Sequence, residues 1–319
     1  MKKLLFLFLF LIFACNNYED KKITKTFFLM DSYASITLPV SDKKVFNDVI
    51  KELKSVESAL DRRDNQTELW AFNEKKKNFV TNKIVRDCFY ISLKIWKESQ
   101  GFFDPSVANI YDLWRFDSVH PVVPSKEEIF KARKSGRITD FYLKEDRLER
   151  IKGTAKLDFG GIGQGYGLRR VLEILRLNNV KSALVDISGD IYALGKNFKN
   201  PWRIGVRNPF KKESLIAVLE VTNMAVITAG NYERGFTNGG IWYHHILDPF
   251  TGFPSRGVAS VTVVMEDPVL ADCWSTALVA AGEKSLEFSK KILPPFIMVK
   301  ENGEVIVSSN MQRFIKKLY

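Results

Sequence analysis

The chain has 319 residues, 45% hydrophobic and 27% charged, with a formal net charge of +11. That balance supports a sizeable core in one large domain or two intimately packed ones, and it excludes a disordered or fibrous chain. The lysines are scattered, with no basic stripe interleaved with aromatics, so the charge reads mainly as a solvated surface and no nucleic acid is expected.

Met1, Lys2 and Lys3 precede an unbroken apolar run from Leu4 to Phe13, and Ala14-Cys15 follows. This is the plan of a signal peptide, and the run is shorter than the ~20 residues a bilayer span needs. Cys15, with Asn16, Asn17 and Tyr18 beyond it, resembles a bacterial lipoprotein signal, in which the cysteine is acylated and becomes the mature N-terminus. The alternative is an ordinary cleaved signal with an incidental cysteine. The expected organisation is a signal over 1–15, a tether over 16–25 and a folded domain over 26–319. Such a protein is exported, lipid-anchored to a membrane and faces the periplasm. Cys88 and Cys273, far apart in sequence, read as buried apolar residues and not as a disulfide framework.

Thr26 to Val40 reads as one or two strands. Val45, Phe46, Val49, Ile50, Leu53 and Val56 give helical spacing over Lys43–Leu60. Thr67–Phe72 reads as a short helix and Lys83–Ser99 as a stronger one, ending at Gly101. Phe102–Arg115 reads as an aromatic loop and Lys126–Lys134 as a short helix. Phe141–Asp158 alternates like a hairpin, and a glycine-rich turn leads into a helix over Tyr166–Leu177. Ala183–Leu194, Trp202–Val206, Leu215–Val221, Ala225–Ala229 and Val258–Met265 read as strands. An apolar helix covers Val269–Gly282, and Phe296–Val299 with Val305–Ser308 forms a last hairpin. Adjacent strand pairs with intervening helices predict an α+β fold with mostly antiparallel sheets.

Four segments carry candidate chemistry. Leu157-Asp158-Phe159-Gly160-Gly161-Ile162-Gly163-Gln164-Gly165-Tyr166-Gly167 opens a helix, where glycines allow close approach and free amides suit phosphate. It fits neither G-x-G-x-x-G nor a Walker loop, and a tight packing turn explains it equally well. Tyr243 to Gly252 holds two of the three histidines, and His245 suits a general acid or base, or a turn position. Asp272 and Thr276, four residues apart, share a helical face and suit Mg²⁺; the other reading is an acidic helix start and a buried threonine. Gly101-Phe102-Phe103-Asp104-Pro105 pairs aromatics with an acid, as a planar-ring site or as core.

Taken in order, eight segments resemble the motifs of the ApbE family, once called thiamine-biosynthesis lipoproteins and now FAD:protein FMN transferases. They are Met30-Asp31-Ser32, Gly101 to Ser106, Leu157 to Gly167, Ser188 to Ile191, Trp202 to Val206, Thr228 to Tyr232, His245 to Gly252 and Ala271 to Ala277. The resemblance spans nearly everything after the signal. It implies FAD as substrate and Mg²⁺ at its pyrophosphate, held by Asp272 and Thr276 with the carbonyls of Gly161 and Ser275. It implies flavin contacts from Met30, Phe102, Phe103, Asp104, Asp158, Gln164 and Ile246, and His245 as catalytic base with Asp248 placed to orient it. The implied partner is an exported acceptor protein with a target Thr or Ser, such as a membrane redox-pump subunit. Attack by that hydroxyl would leave FMN in a phosphoester and release AMP; attack by water would give free FMN and AMP. Binding without turnover is a third reading.

The chain departs from the family pattern at several positions. Asp31 stands where the family usually has glycine, Gln164 replaces a lysine or acid, and Ala229 and Asn231 replace serine and aspartate. Near Arg62-Arg63-Asp64-Asn65, many transferases carry an aromatic residue that this chain lacks, a change in the direction of hydrolysis.

Overall fold

The computed structural model describes residues 21–287 and 293–319. The signal over 1–15, Cys15 and the first part of the tether lie outside the described residues. The fold starts earlier than Thr26: strand β1 covers Lys22–Leu29 and pairs along its whole length with β2, Ser32–Pro39. The four tether residues from Lys22 to Lys25 are therefore strand. The two-residue turn between them, Met30-Asp31, places both residues at positive φ, 60° and 56°, the geometry of a tight hairpin turn. Asp accepts this region more readily than most side chains, so the hairpin keeps its turn without the family's glycine.

The helical predictions hold in outline. Helix α1, Phe46–Leu60, buries Phe46, Val49, Leu53 and Val56. Helix α2 is Glu68–Asn73 and the short strand β3 Phe79–Val80. Helix α3, Lys83–Glu98, starts where the Asn82 side chain accepts from the amides of Ile84 and Val85. The stretch read as an aromatic loop contains a further helix, α4, Ala108–Trp114, which ends at Arg115 in left-handed conformation. Its seven residues are too few to show a helical period. Helix α5, Lys126–Arg133, begins with a Ser125/Glu128 capping box. Strands β4, Phe141–Leu143, and β5, Leu148–Arg150, form the expected hairpin, shorter than the alternation suggested.

Helix α6 runs Gly163–Leu177, three residues earlier than its apolar pattern indicates. Ala183–Leu194 is two strands, β6 (Ala183–Ile187) and β7 (Asp190–Leu194), turning at Ser188-Gly189. There follow β8 (Trp202–Arg207), β9 (Leu215–Val221), β10 (Met224–Gly230), β11 (Gly235–Asn238), β12 (Ile241–His244) and β13 (Val258–Met265). Helix α7 is Pro268–Ala281, with proline at its first position and the Asp267 side chain accepting from Val269 N–H. Strands β14 (Phe296–Lys300), β15 (Val305–Val307) and β16 (Ile315–Leu318) complete the chain. The β11–β12 hairpin and β16 carry too little alternation to be read from sequence.

Eight strands form one sheet in the order β1-β2-β6-β7-β10-β13-β14-β15, and every neighbouring pair is antiparallel. The α+β, mostly antiparallel architecture is as expected. Both faces of its centre are covered. Val261, Val263 and Met298 face the helical core with α1, α3, α6 and α7, whereas Val264, Ile297 and Val299 face a second core under the β16-β9-β8 sheet. This double burial explains why β13 reads as an unbroken apolar run. A third cluster around Trp114 joins α4 and α5 to Leu247 and the β11–β12 hairpin. Cys88 and Cys273 are free and buried.

One close approach positions the site. A Cβ at Gly165 would lie 2.6 Å from the Pro268 carbonyl oxygen and 2.7 Å from Asp272 Cβ. The α6–α7 crossing therefore depends on a glycine there. Gly165→Ala is expected to cost about 1–3 kcal/mol through forced separation of the helices, read as a lower urea midpoint.

Candidate active site

The glycine-rich loop is pinned from both sides. Asn73 grips Leu157 with two bonds, Nδ2 to the carbonyl and the Leu157 amide to Oδ1, each 2.8 Å. Asp158 N–H donates to the Pro105 carbonyl at 2.8 Å, so the loop is fastened to the Gly101–Ser106 segment. The loop then enters α6 without a side-chain cap, which leaves its start facing an open cavity of about 720 Å³.

This cavity gathers residues from every motif that sequence reasoning singled out. Met30, Phe102, Phe103, Asp104, Asp158, Gln164, Ile246, Gly161, Asp272, Ser275, Thr276 and His245 all line it. A Cβ on Gly161 would fall 3.3 Å from Thr276 Oγ1 and 3.2 Å from a Phe103 ring carbon, which places the loop beside the hydroxyl of α7. Ser275 Oγ is occupied inside its own helix, donating to the Asp272 carbonyl at 2.9 Å. Phe102 packs edge to face on Phe250 at 4.9 Å.

Asp272 is buried and accepts from Gly165 N–H at 2.9 Å through Oδ2. Burial pushes its carboxyl up to about 7. Asp190, at the start of β7, is the residue sequence reasoning did not single out. It lies buried in the same wall, and burial, then the Asp272 charge, raise it well above the carboxylate range. No Lys or Arg stands among the main influences on Asp272, so two acids share a poorly compensated pocket. Two carboxylates, a hydroxyl and loop carbonyls are hard oxygen donors that fit a Mg²⁺ ion completed by ligand oxygens. Among the described residues no group of three or more His, Cys, Asp or Glu could hold a metal, so those other oxygens are needed.

His245 is half-buried and lines the same cavity. Its Nδ1 lies 3.1 Å from the Arg234 carbonyl. Burial, aided by the Arg234 and His244 charges, pushes its imidazole down to about 4. At neutral pH the ring is therefore neutral, Nδ1 carries the proton that the carbonyl accepts, and Nε2 keeps a free lone pair. Asp248 corrects the expectation. It does not line the cavity, and its Oδ1 accepts from Phe250 N–H at 2.8 Å, stapling the Pro249–Gly252 turn. A backbone carbonyl, and not Asp248, orients His245.

The cavity is also lined by residues that the sequence reading did not assign to the site. Arg62, its side chain 10% exposed, bridges Asp158 at 2.5 Å and Asp112 at 2.8 Å. Arg63 and Arg234 both pair with Asp117, and burial of Arg234 is outweighed by Tyr111, Asp117 and Asp31, which hold its guanidinium above its ordinary value. Arg63 thus puts a charge on the cavity rim. Nothing in the local spacing of these residues distinguishes them from a solvated basic turn.

The chain is similar to proteins of known identity. It is 33% identical over 215 residues to an FAD:protein FMN transferase of Klebsiella pneumoniae, covering 65% of this chain and 66% of that one. A Rhodobacter capsulatus protein of the same name is 32% identical over 189 residues, covering 58% of this chain and 36% of the relative's length. The crystal structure of the ApbE protein of Thermotoga maritima superposes with a TM-score of 0.86 at 28% identity, covering 93% of this chain and all of that one. The ApbE family model matches residues 30–296, from the turn of the first hairpin to the start of the last, so that the chain belongs to the ApbE family.

Proposed function

We propose that the chain is a Mg²⁺-dependent FAD:protein FMN transferase. The observation that carries this reading is the buried pair Asp190 and Asp272, lining with a neutral His245 a cavity that the glycine loop enters. Asp272, Asp190, Thr276 and the Gly161 carbonyl would hold Mg²⁺, which when bound neutralises charge on the phosphoryl oxygens. The aromatic side chains of Phe102 and Phe103 and the Met30 turn line the part of the cavity suited to a flavin ring. His245 Nε2 takes the proton from a threonine or serine hydroxyl of the acceptor. The hydroxyl oxygen bonds to the phosphorus on the flavin side, the bond from that phosphorus to the bridging oxygen breaks, and AMP leaves with that oxygen. The lack of an aromatic residue near Arg62-Arg63-Asp64-Asn65 favours a second reading, in which water attacks and FMN is released.

The reading extends to the chain ends: residues 1–15 as an export signal, Cys15 as the lipid-anchored N-terminus in the periplasm, and the FAD- and Mg²⁺-binding domain running to residue 319. The acceptor is then an exported or membrane protein. Incubation with FAD, Mg²⁺ and an exported fraction should give a fluorescent flavin band that survives denaturing electrophoresis, lost with EDTA. AMP and free FMN without any band would select hydrolysis, and neither product would defeat both readings. In cells, the Cys15→Ser protein should leave the membrane fraction; an unchanged distribution would remove the anchor.

A further inference from the structure

The outward face of the β1–β2 hairpin holds a feature that the nucleotide site does not use. Thr24 and Thr37 join hydroxyls at 2.7 Å, and Thr26 and Ser35 at 2.8 Å. This ladder ends in Phe28 and Tyr33, direct cross-strand partners whose rings meet edge to face at 5.6 Å. Among the described residues they meet each other and join none of the three cores, and are 67% and 68% exposed. Isolated exposed aromatics are ordinary, but a joined pair at a strand end is an apolar platform.

The platform is continuous with the cavity. The turn joining the two strands, Met30-Asp31, lines it. The Asp31 charge acts on Arg234, the residue whose carbonyl orients His245. On the same face, Asp186 of β6 stands opposite Ser35 and also lines the cavity. The outward face therefore leads from the aromatic pair to the cavity that His245 also lines.

We propose that this face docks the polypeptide acceptor, with Phe28 and Tyr33 receiving an apolar side chain that flanks its target Thr or Ser. The proposal rests on the transferase reading. FAD has no use for exposed rings outside its cavity, whereas a hydroxyl carried on a polypeptide has to be held at the mouth by contacts of this kind. The positions next to the rings on this face, Thr24, Thr26, Ser35 and Thr37, carry uncharged hydroxyls, which suit peptide groups; Asp186 lies beyond Ser35, and Lys22 at the far end is held by Ser182 and Asn197. A bilayer surface would instead be met by clustered lysines and arginines around the rings.

The test compares the protein with a Phe28→Thr, Tyr33→Thr double variant, which keeps strand-forming residues at exposed positions. The probes are two labelled synthetic peptides with a central Thr, one flanked by leucines and one by serines, titrated by anisotropy onto FAD-loaded protein. The leucine peptide should bind about 10-fold more tightly, and the double variant should lose that preference. FAD affinity and AMP release from FAD should be unchanged in the variant. Equal binding of the two peptides by the unaltered protein, or a preference that survives in the variant, overturns the proposal. Binding to phosphatidylglycerol vesicles that the variant loses, without any peptide preference, overturns it in favour of lipid. A failure of the transferase reading shows separately, as the absence of a flavin band on any protein of the exported fraction, an assay in which these peptides take no part.

Discussion

His245→Ala is expected to lower both AMP release and FMN transfer about 10²- to 10⁴-fold, the range for loss of a positioned general base. FAD affinity should change little, because the imidazole acts on the entering hydroxyl and its ring packs in the cavity wall. The pH profile gives a sharper check. With its value held at about 4 by burial, the imidazole stays unprotonated through the neutral range. The rate in the unaltered enzyme should therefore show no loss attributable to this group between about pH 5 and 8, and should fall only as the pH approaches 4. A single-proton loss of kcat/KM centred near the ordinary histidine value of about 6.5, absent in the variant, would show that the ring is not held neutral as the structure requires.

Asp272→Asn is expected to remove Mg²⁺-dependent turnover by at least about 100-fold, because a neutral amide cannot hold the cation against two phosphoryl groups. Its effect on stability has the opposite sign. In the unfolded chain this carboxyl titrates near 3.8, whereas burial raises it to about 7 in the fold. Between those values the folded protein retains a proton that the unfolded chain has released. Stability without metal therefore falls as pH rises from about 4 to about 7 and stays low above it. Asp190, raised for the same reason, adds in the same direction. The metal-free protein should melt lower at pH 8 than at pH 5, by roughly 5 °C or more. Saturating Mg²⁺ should recover the loss at pH 8 by binding the folded form. The asparagine variant should show a weaker pH slope and little response to Mg²⁺. If Mg²⁺ raises the melting temperature of both proteins equally at pH 8, the ion is held somewhere else.

The sequence alone determined the fold class and most of the elements, and it named many of the residues that line the cavity. Buried helices and strands reveal themselves by period, as in α1, or by an unbroken apolar run, as in β13, because one face or both must be apolar to exclude water. Each motif had a packing explanation at least as good when read singly, and only their order separated the two. The tertiary structure decided what no local spacing encodes. It brought Asp190 beside Asp272 from residues 82 positions apart in sequence, and so made a shared acidic pocket of two ordinary aspartates. It gave the orienting bond of His245 to the Arg234 carbonyl and returned Asp248 to its turn. Backbone carbonyls carry no sequence signature, and the burial that shifts a carboxyl depends on every element packed around it.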